Sequence, residues 1–425
     1  MSNEREEKRF LRKFFNGVLL LVAMIAVGFS SYKGVFWYCE FMNAKGKSIT
    51  FSKKKDKIYN TILVEDKENN RVEGAIVQMM NQKLNTVDCV VIPANTKIPI
   101  SGDVYQELKE NGKILMDVTT LQSISSADLE KSEEYRLIVK AIGEILNIDS
   151  LEAYEVHDQA ILSKWMQLIE KQGEQVKFDV PMMIMSEKSN GEKDIIHQGE
   201  QILDGNKVNS VVFFNQYQDG ALDQAKIIAQ LYGQCYQKVG TWKEEEKNSL
   251  YQELYKDMVS NQERKAIDEQ IKGLTSATDV SFHFHMLNGY DSRDSFEGND
   301  DKNKELIKNI AENQEAYTSK QDLSIFEVEP IALSTDLSIK IYNGTKIPGL
   351  ATEWKKKLED NGYHKIIGLG NDNAIPKEET IIYVKADGVG YDLYGYFPKA
   401  KFVVDPSLDG MDIKIVIGRL DSERE

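Results

Sequence analysis

His283 and His285 stand two apart in Ser281-Phe282-His283-Phe284-His285. In a strand that spacing puts both imidazoles on one face, where a metal could bridge them. Zinc takes three or four ligands, no third lies nearby in sequence, and a solvated strand face is the expectation. Cys39, Cys89 and Cys235 are too few and too widely spaced for a disulfide framework or a paired-cysteine metal site. Cys89, inside the apolar run Val87 to Ile92, reads as a small core residue. Arginine, the side chain best suited to bidentate phosphate recognition, is scarce: nine of 53 basic residues, with none between Arg136 and Arg264. Whatever the middle of the chain does with phosphate, it does without a guanidinium fork.

These residues belong to a chain of 425, 41% hydrophobic and 28% charged, with eight prolines and no low-complexity tract. That is a folded composition, long enough for two or three domains of about 100–200 residues. A net charge of −15 argues against general nucleic-acid binding, because there is no phosphate-neutralising excess. Phe14 to Tyr32 is a mostly apolar stretch of 19 uncharged residues, preceded by Arg5, Lys8, Arg9, Arg12 and Lys13 and followed by Phe36, Trp37 and Tyr38. About 20 such residues span a bilayer core, and basic residues stay on the cytoplasmic side. The expectation is a single-pass signal anchor at residues 14–38 in the cell membrane. Residues 1–13 then form a cytoplasmic tail and the bulk of the chain is extracytoplasmic. A cleaved signal peptide is the alternative, but no clean small-x-small site follows the apolar run.

After a stalk (39–57), β-branched runs at 59–65, 73–80 and 88–96 read as strands separated by polar turns. From Ser126 the apolar period becomes helical and ends near Asn147. Further helices are expected at Ala160 to Gln172, Ala221 to Val239 and Glu244 to Gly273, and strands at Gln175 to Pro181, Ser210 to Asn215 and Val280 to Met286. Apolar content collapses from Asp291, which predicts a linker over 291–335. The last 85 or so residues restart a pattern of strands and helices that reads as a small α+β module. The Met-rich stretches Met79-Met80 and Met182-Met183-Ile184-Met185 suit either an apolar ligand or a core. Asn343-Gly344-Thr345 matches a glycosylation sequon, although its place between strand and helix makes it a turn.

The tail resembles the C-terminal domain of LytR-type envelope proteins. The resemblance rests on Asn343-Gly344-Thr345, Gly349-Leu350-Ala351, Gly362-Tyr363, Gly370-Asn371 and Ile417-Gly418, and covers 336–420. Residues 58–290 resemble a diverged LytR-CpsA-Psr (LCP) domain, through Gly199-Glu200-Gln201-Ile202-Leu203-Asp204-Gly205, the pair Ile92-Pro93 followed by Thr96, and the order of elements. The resemblance implies an α/β/α domain with a mixed central sheet. Family members transfer polyprenyl-pyrophosphate-linked glycopolymers onto peptidoglycan. An apolar lipid tunnel is therefore implied, with arginines and carboxylates at its mouth holding pyrophosphate and Mg²⁺.

The chain departs from the family at that mouth. The family's Arg-x-Asp falls on Arg71-Val72-Glu73, and its Pro-Arg-Asp-Thr on Pro93-Ala94-Asn95-Thr96. Its Arg-x-Arg strand end falls near Phe213-Phe214-Asn215, and its Asp-x-x-Arg near Gly220 to Lys226. Arg71 and Glu73 are thus the catalytic remnants, and Asp66, Arg71, Asn95, Thr96 and Lys226 the ligand-binding candidates. Lys97, Lys207 and Lys226 are available as substitutes, and Asp66, Asp219 and Asp223 as Mg²⁺ ligands should activity be retained. Losing one transition-state charge contact costs ~10²–10³ in rate. The expectation is a catalytically degenerate envelope protein that binds or regulates a lipid-linked glycopolymer or the polyprenyl-phosphate lipid. An active phosphotransferase and a scaffold acting through the C-terminal module are the alternatives.

Overall fold

Alternating β-branched residues and left-handed asparagines build the first layer of the molecule. The computed structural model describes residues 52–54, 57–113, 119–149, 151–187, 193–275, 280–292, 294–312, 323–372 and 375–422. The anchor expected at 14–38, the cytoplasmic tail and most of the stalk lie outside the described residues. Among the described residues no helix is long and apolar enough to cross a membrane. Strands β1 (Ser52–Lys54), β2 (Lys57–Asp66), β3 (Arg71–Asn81) and β4 (Thr86–Pro93) come first. The β2–β3 and β3–β4 turns each contain an asparagine with positive φ, Asn70 (53°) and Asn85 (55°), a conformation that asparagine tolerates.

Helices α1 (Asp103–Glu110), α2 (Leu121–Ile124) and α3 (Lys131–Leu146) follow, α3 ending on left-handed Asn147. Next come β5 (Tyr154–His157) and α4 (Gln159–Lys171), the latter capped by Asp158, whose Oδ1 accepts from Ile161 N at 2.9 Å. Strands β6 (Val176–Val180), β7 (Ile184–Glu187), β8 (Lys193–Ile196) and β9 (Gly199–Leu203) form two antiparallel pairs, β6 with β9 and β7 with β8. Then come α5 (Lys207–Val212), α6 (Ala221–Gly240), α7 (Glu244–Tyr255), β10 (Val259–Ser260), α8 (Arg264–Thr275) and β11 (Ser281–Met286). The hairpin β12 (Gly289–Asp291) and β13 (Phe296–Gly298) and helix α9 (Asp300–Glu312) complete this part.

The central sheet is mixed, in the order β10-β5-β2-β3-β4-β11, with β1 paired to β2. Its two faces bury separate cores. Side chains from α4, α6, α7 and α8 pack on one face and from α1, α2, α3 and α9 on the other, giving three layers. Met79 faces one core and Met80 the other, as strand alternation requires.

The second sheet comprises β14 (Ile339–Asn343), β15 (Ile366–Asn371), β16 (Ile381–Val384), β17 (Lys401–Val404) and β18 (Ile413–Ile417), in the order β15-β14-β18-β16-β17. Helix α10 (Leu350–Asp360) buries Leu350, Ala351, Trp354 and Leu358 against one face. The β7–β8 hairpin reaches this module. Met183 is part of its core, and a Cβ on Gly395 would lie 2.2 Å from the Met183 carbonyl oxygen.

Three sequence expectations are corrected. Ser210 to Asn215 is not a strand: Asp204 Oδ1 accepts from Asn206 N (2.8 Å) and Lys207 N (2.9 Å), turning the chain into α5. The helix expected over 244–273 is two helices, because β10 pairs with β5 between them. The linker expected over 291–335 is largely structured. Asn299 Oδ1 accepts from Lys302 N at 3.0 Å to open α9, which buries Ile310 and packs Leu306 and Ile307 on the central domain. Further on, Phe326 and Ile331 are buried in the other central core.

Asp392 ties the C-terminal module together. It has no exposed surface and accepts from Ser334 N, Ser334 Oγ and Tyr363 OH, each at 2.7 Å. Asp392→Ala leaves three buried donors without an acceptor. It should lower the stability of this module by about 3 kcal/mol, read as a lower urea midpoint in fluorescence unfolding, with Trp354 as the module's reporter.

Candidate functional site

Strands β2, β4, β5 and β11 run in one direction, so their carboxyl ends gather along one edge of the central sheet. Open α/β sheets place ligands at such an edge, and the candidates from sequence lie there. Asp66 pairs with Arg71 across the β2–β3 end. Its Oδ1 accepts from Glu68 N (3.0 Å), Asn69 N (3.2 Å) and Gln159 Nε2 (2.7 Å), and its Oδ2 from Asn69 Nδ2 (2.6 Å). This buried carboxylate organises the turn and joins it to α4.

Arg71 Nε donates to Glu73 Oε1 at 2.7 Å, and Arg71 Nη2 lies 2.5 Å from the same oxygen. Gln122 Nε2 donates to the second oxygen, Glu73 Oε2, at 3.2 Å. Glu73 has no exposed surface, whereas 32% of the Arg71 side chain is exposed. Burial raises the pKa of the Glu73 carboxyl; Arg71 works against that rise and Asp66 adds to it. The guanidinium is therefore held by an internal carboxylate on one edge.

The other candidates are also engaged. Asn95 Nδ2 lies 3.5 Å from Asp291 Oδ1, and Thr96 Oγ1 donates to the Pro93 carbonyl at 2.6 Å. Thr96 also bridges to Phe296, and Lys97 pairs with Glu297 at 3.2 Å, so the β12–β13 hairpin sits on this loop. Lys226 pairs with Asp223 at 3.0 Å, and Asp223 Oδ2 accepts from Asp219 N at 3.0 Å. Helix α6 comes close because Gly74 has no side chain: a Cβ there would lie 2.9 Å from Ile228 Cδ1. Sequence reasoning missed Gln122, Gln159 and the Lys67–Asp158 ion pair. Of these only Asp158, at a helix N-cap, left a sequence signal.

Among the described residues no group of three or more His, Cys, Asp or Glu side chains is arranged to hold a metal ion. Asp66, Asp219 and Asp223 therefore do not assemble a Mg²⁺ cage. The histidine strand is not a solvated face: His283 is buried, which lowers its pKa, and His285 Nε2 lies 3.0 Å from Asp88 Oδ1. Cys89 is fully buried as expected, and burial raises its thiol pKa.

The Gly199 to Gly205 segment has a packing role. Gly205 lies against α4, where Ser163 Oγ donates to its carbonyl at 2.5 Å and a Cβ would be 3.2 Å from the Ser163 carbonyl. Beneath the strand ends the interior is filled. Trp165, Tyr232 and Tyr236 pack edge-on or tilted with centroids 5.0–6.2 Å apart, and Tyr236 stacks on Phe282 at 4.3 Å. A buried polar chain threads these rings. His157 Nδ1 lies 2.7 Å from Tyr232 OH and His157 Nε2 3.2 Å from Glu155 Oε1, while Tyr255 OH donates to Glu155 Oε2 at 2.5 Å. Gln78 Nε2 donates to Tyr236 OH at 2.9 Å. The void these groups line measures about 10 Å³, space for no more than one water.

The sequence profile of the family described as LytR cell envelope-related transcriptional attenuator matches residues 336–420. The C-terminal module is a LytR-type domain. Its boundaries coincide with the span over which the tail resembles that family. No curated protein sequence matches the chain. Solved structures similar to the chain include B. subtilis TagV (14% identity, covering 63% of this chain and 100% of that one, TM-score 0.45). TagT bound to LIIa-WTA is similar at 14% identity, 62% and 94% coverage and a TM-score of 0.42. A transcriptional regulator from Enterococcus faecalis is similar at 11% identity, 62% and 90% coverage and a TM-score of 0.43.

Arg71→Ala leaves Glu73 as a buried, unpaired carboxylate and should cost about 3–5 kcal/mol at pH 7. A carboxyl whose folded pKa is raised loses folding stability as pH rises through the unfolded value and regains it as pH falls. The deficit of Arg71→Ala should therefore shrink between pH 7 and pH 5, and adding Glu73→Gln should relieve much of it, as measured by urea unfolding.

Proposed function

We propose that this protein is an LCP-like envelope protein, anchored by residues 14–38 with its bulk outside the cytoplasm, that binds or regulates a glycopolymer without transferring it. The observation that carries this reading is the state of Arg71. It is the one arginine among the described residues at the strand-end edge, and its Nε and Nη2 groups are engaged by Glu73. Arg136 is held by Glu107 and Glu133, Arg264 by Asp268 and Arg419 by Glu378. Arg293 lies outside the described residues.

Pyrophosphate departure needs fixed cations and a metal at the developing charge. Here Lys97 and Lys226 are each paired with a carboxylate, and a lysine supplies charge without the bidentate fork. The burial of Trp165, Tyr232 and Tyr236 leaves no room for a polyprenyl chain around those rings, which favours the glycopolymer half of the expectation. The LytR-type domain supports an envelope role, which leaves the glycopolymer as the ligand.

The full chain, supplied in nanodiscs with a polyprenyl-pyrophosphate-linked glycopolymer, peptidoglycan acceptor and Mg²⁺, should release no polyprenyl product above a protein-free control. Metal-dependent release that is lost in Arg71→Ala, under conditions where that variant remains folded, would establish the transferase alternative.

A further inference from the structure

The sheet of the LytR-type domain is covered on one face only. Ile339, Ile341, Ile382, Val384, Ile413 and Ile415 point into the core under α10. By strand alternation the residues between them point the other way, and among the described residues no helix packs over them. The five strands, IKIYN, IIGLGN, IIYV, KFVV and IKIVI, contain three lysines and neither Asp nor Glu. In a chain of net charge −15 this is a local reversal of sign.

The outward groups are organised. Lys414 Nζ lies 5.1 Å from the ring centroid of Tyr342 and 5.1 Å from that of Tyr383, a cation set between two aromatic rings. Gly370 makes room on the neighbouring strand: a Cβ there would lie 2.8 Å from Cδ1 and Cε1 of Tyr342. Lys340 runs along Gly368 in the same way, with its Cγ 3.5 Å from the position of a Cβ. Among the described residues neither Lys414 nor Lys340 forms a salt bridge, although Lys414 lies near enough to Asp405 to help lower its pKa, whereas Lys385 holds Asp412 at 3.0 Å. Beyond Tyr342 the strand runs into a groove of about 370 Å³ lined by Asn343, Thr345, Lys346, Asn371 and Asp372.

We infer that this open face is a binding platform for an anionic glycan polymer, a strand of sugar or polyol units joined by phosphodiesters or carrying carboxylates. Lys414 and Lys340 attract the charge, and the Tyr342 and Tyr383 rings offer apolar area to the C–H faces of sugar or polyol units. Charge complementarity selects this occupant. In a chain of net charge −15, a strand face that gathers lysines and has no carboxylate on its strands is where a polyanion meets the least repulsion. This inference deepens the proposed glycopolymer role and rests on it.

The test uses the full chain in nanodiscs and a defined poly(glycerol phosphate) as the probe, with uncharged dextran and single-stranded DNA in parallel. Wild type should bind poly(glycerol phosphate) with an affinity that falls as salt rises, and should bind neither control comparably. Lys414→Gln should weaken binding about tenfold. Lys340→Gln, at a half-exposed position, provides a second variant with little effect on folding, and should also weaken it. Lys302→Gln on α9 should leave binding unchanged. Unaltered binding by both face variants, or equal binding of DNA or dextran, overturns the platform. That failure is distinct from failure of the non-catalytic reading, which the release of polyprenyl product decides.

Discussion

A carboxylate without exposed surface needs a charged partner, and Glu73 takes Arg71 as that partner. This requirement shapes the whole strand-end edge of the central domain. With Gln122 on the other oxygen, the pair fastens α2 to β3, while Asp66 fastens the adjacent turn to α4 through Gln159. An arginine placed to meet a phosphate must present its fork to solvent. Here the fork also holds the fold together, and the positions around it carry residues that close the edge: Asn95 beside Asp291 and Thr96 bridged to Phe296.

The interior follows the same logic of mutual satisfaction. Glu155 and His157 from β5 are buried together and engage the hydroxyls of Tyr255 and Tyr232. Such a network fixes one arrangement of the rings around it, since moving any member exposes another to an apolar surrounding. Large aromatic side chains and this polar network take up the space around β5, although Trp165 Nε1 is buried without a hydrogen-bond partner. In the LytR-type domain Asp392 has the corresponding task, joining the incoming turn at Ser334 to Tyr363.

Much of the scaffold was legible in the sequence because period and punctuation agreed. Runs of valine and isoleucine gave β2 to β4, Asn147 marked the end of α3, and the LytR-type motifs fall at the ends of β14, β15 and β18. The failures have physical causes. Val208, Val211 and Val212 have strand-like composition, yet the Asp204 carboxylate, accepting from Asn206 N and Lys207 N, turns the chain into a helix there. Helix α9 is so polar that Leu306, Ile307 and Ile310 were outweighed by the charges around them. The inward-facing polar residues were least visible. Asn60, Gln78 and Gln262 carry no local sign of burial, since Asn60 meets Gln78 from 18 residues away and Gln262 from 202. Of the site, sequence identified Arg71, Glu73 and Asp66 but not the hydrogen bonds that occupy them.

The β7–β8 hairpin has a mechanical consequence. Because Met183 lies in the core of the LytR-type domain while its neighbour Met182 lies in that of the central domain, a tensile load on the second domain reaches the first by two routes. One is the covalent chain through Ile331, whose N–H donates to the Pro181 carbonyl at 3.0 Å; the other is the hairpin seated against Gly395. Both converge on the same few residues around Pro181. Force applied to the LytR-type domain is therefore delivered to the base of the hairpin and shared with the central core, instead of stretching the connecting segment alone.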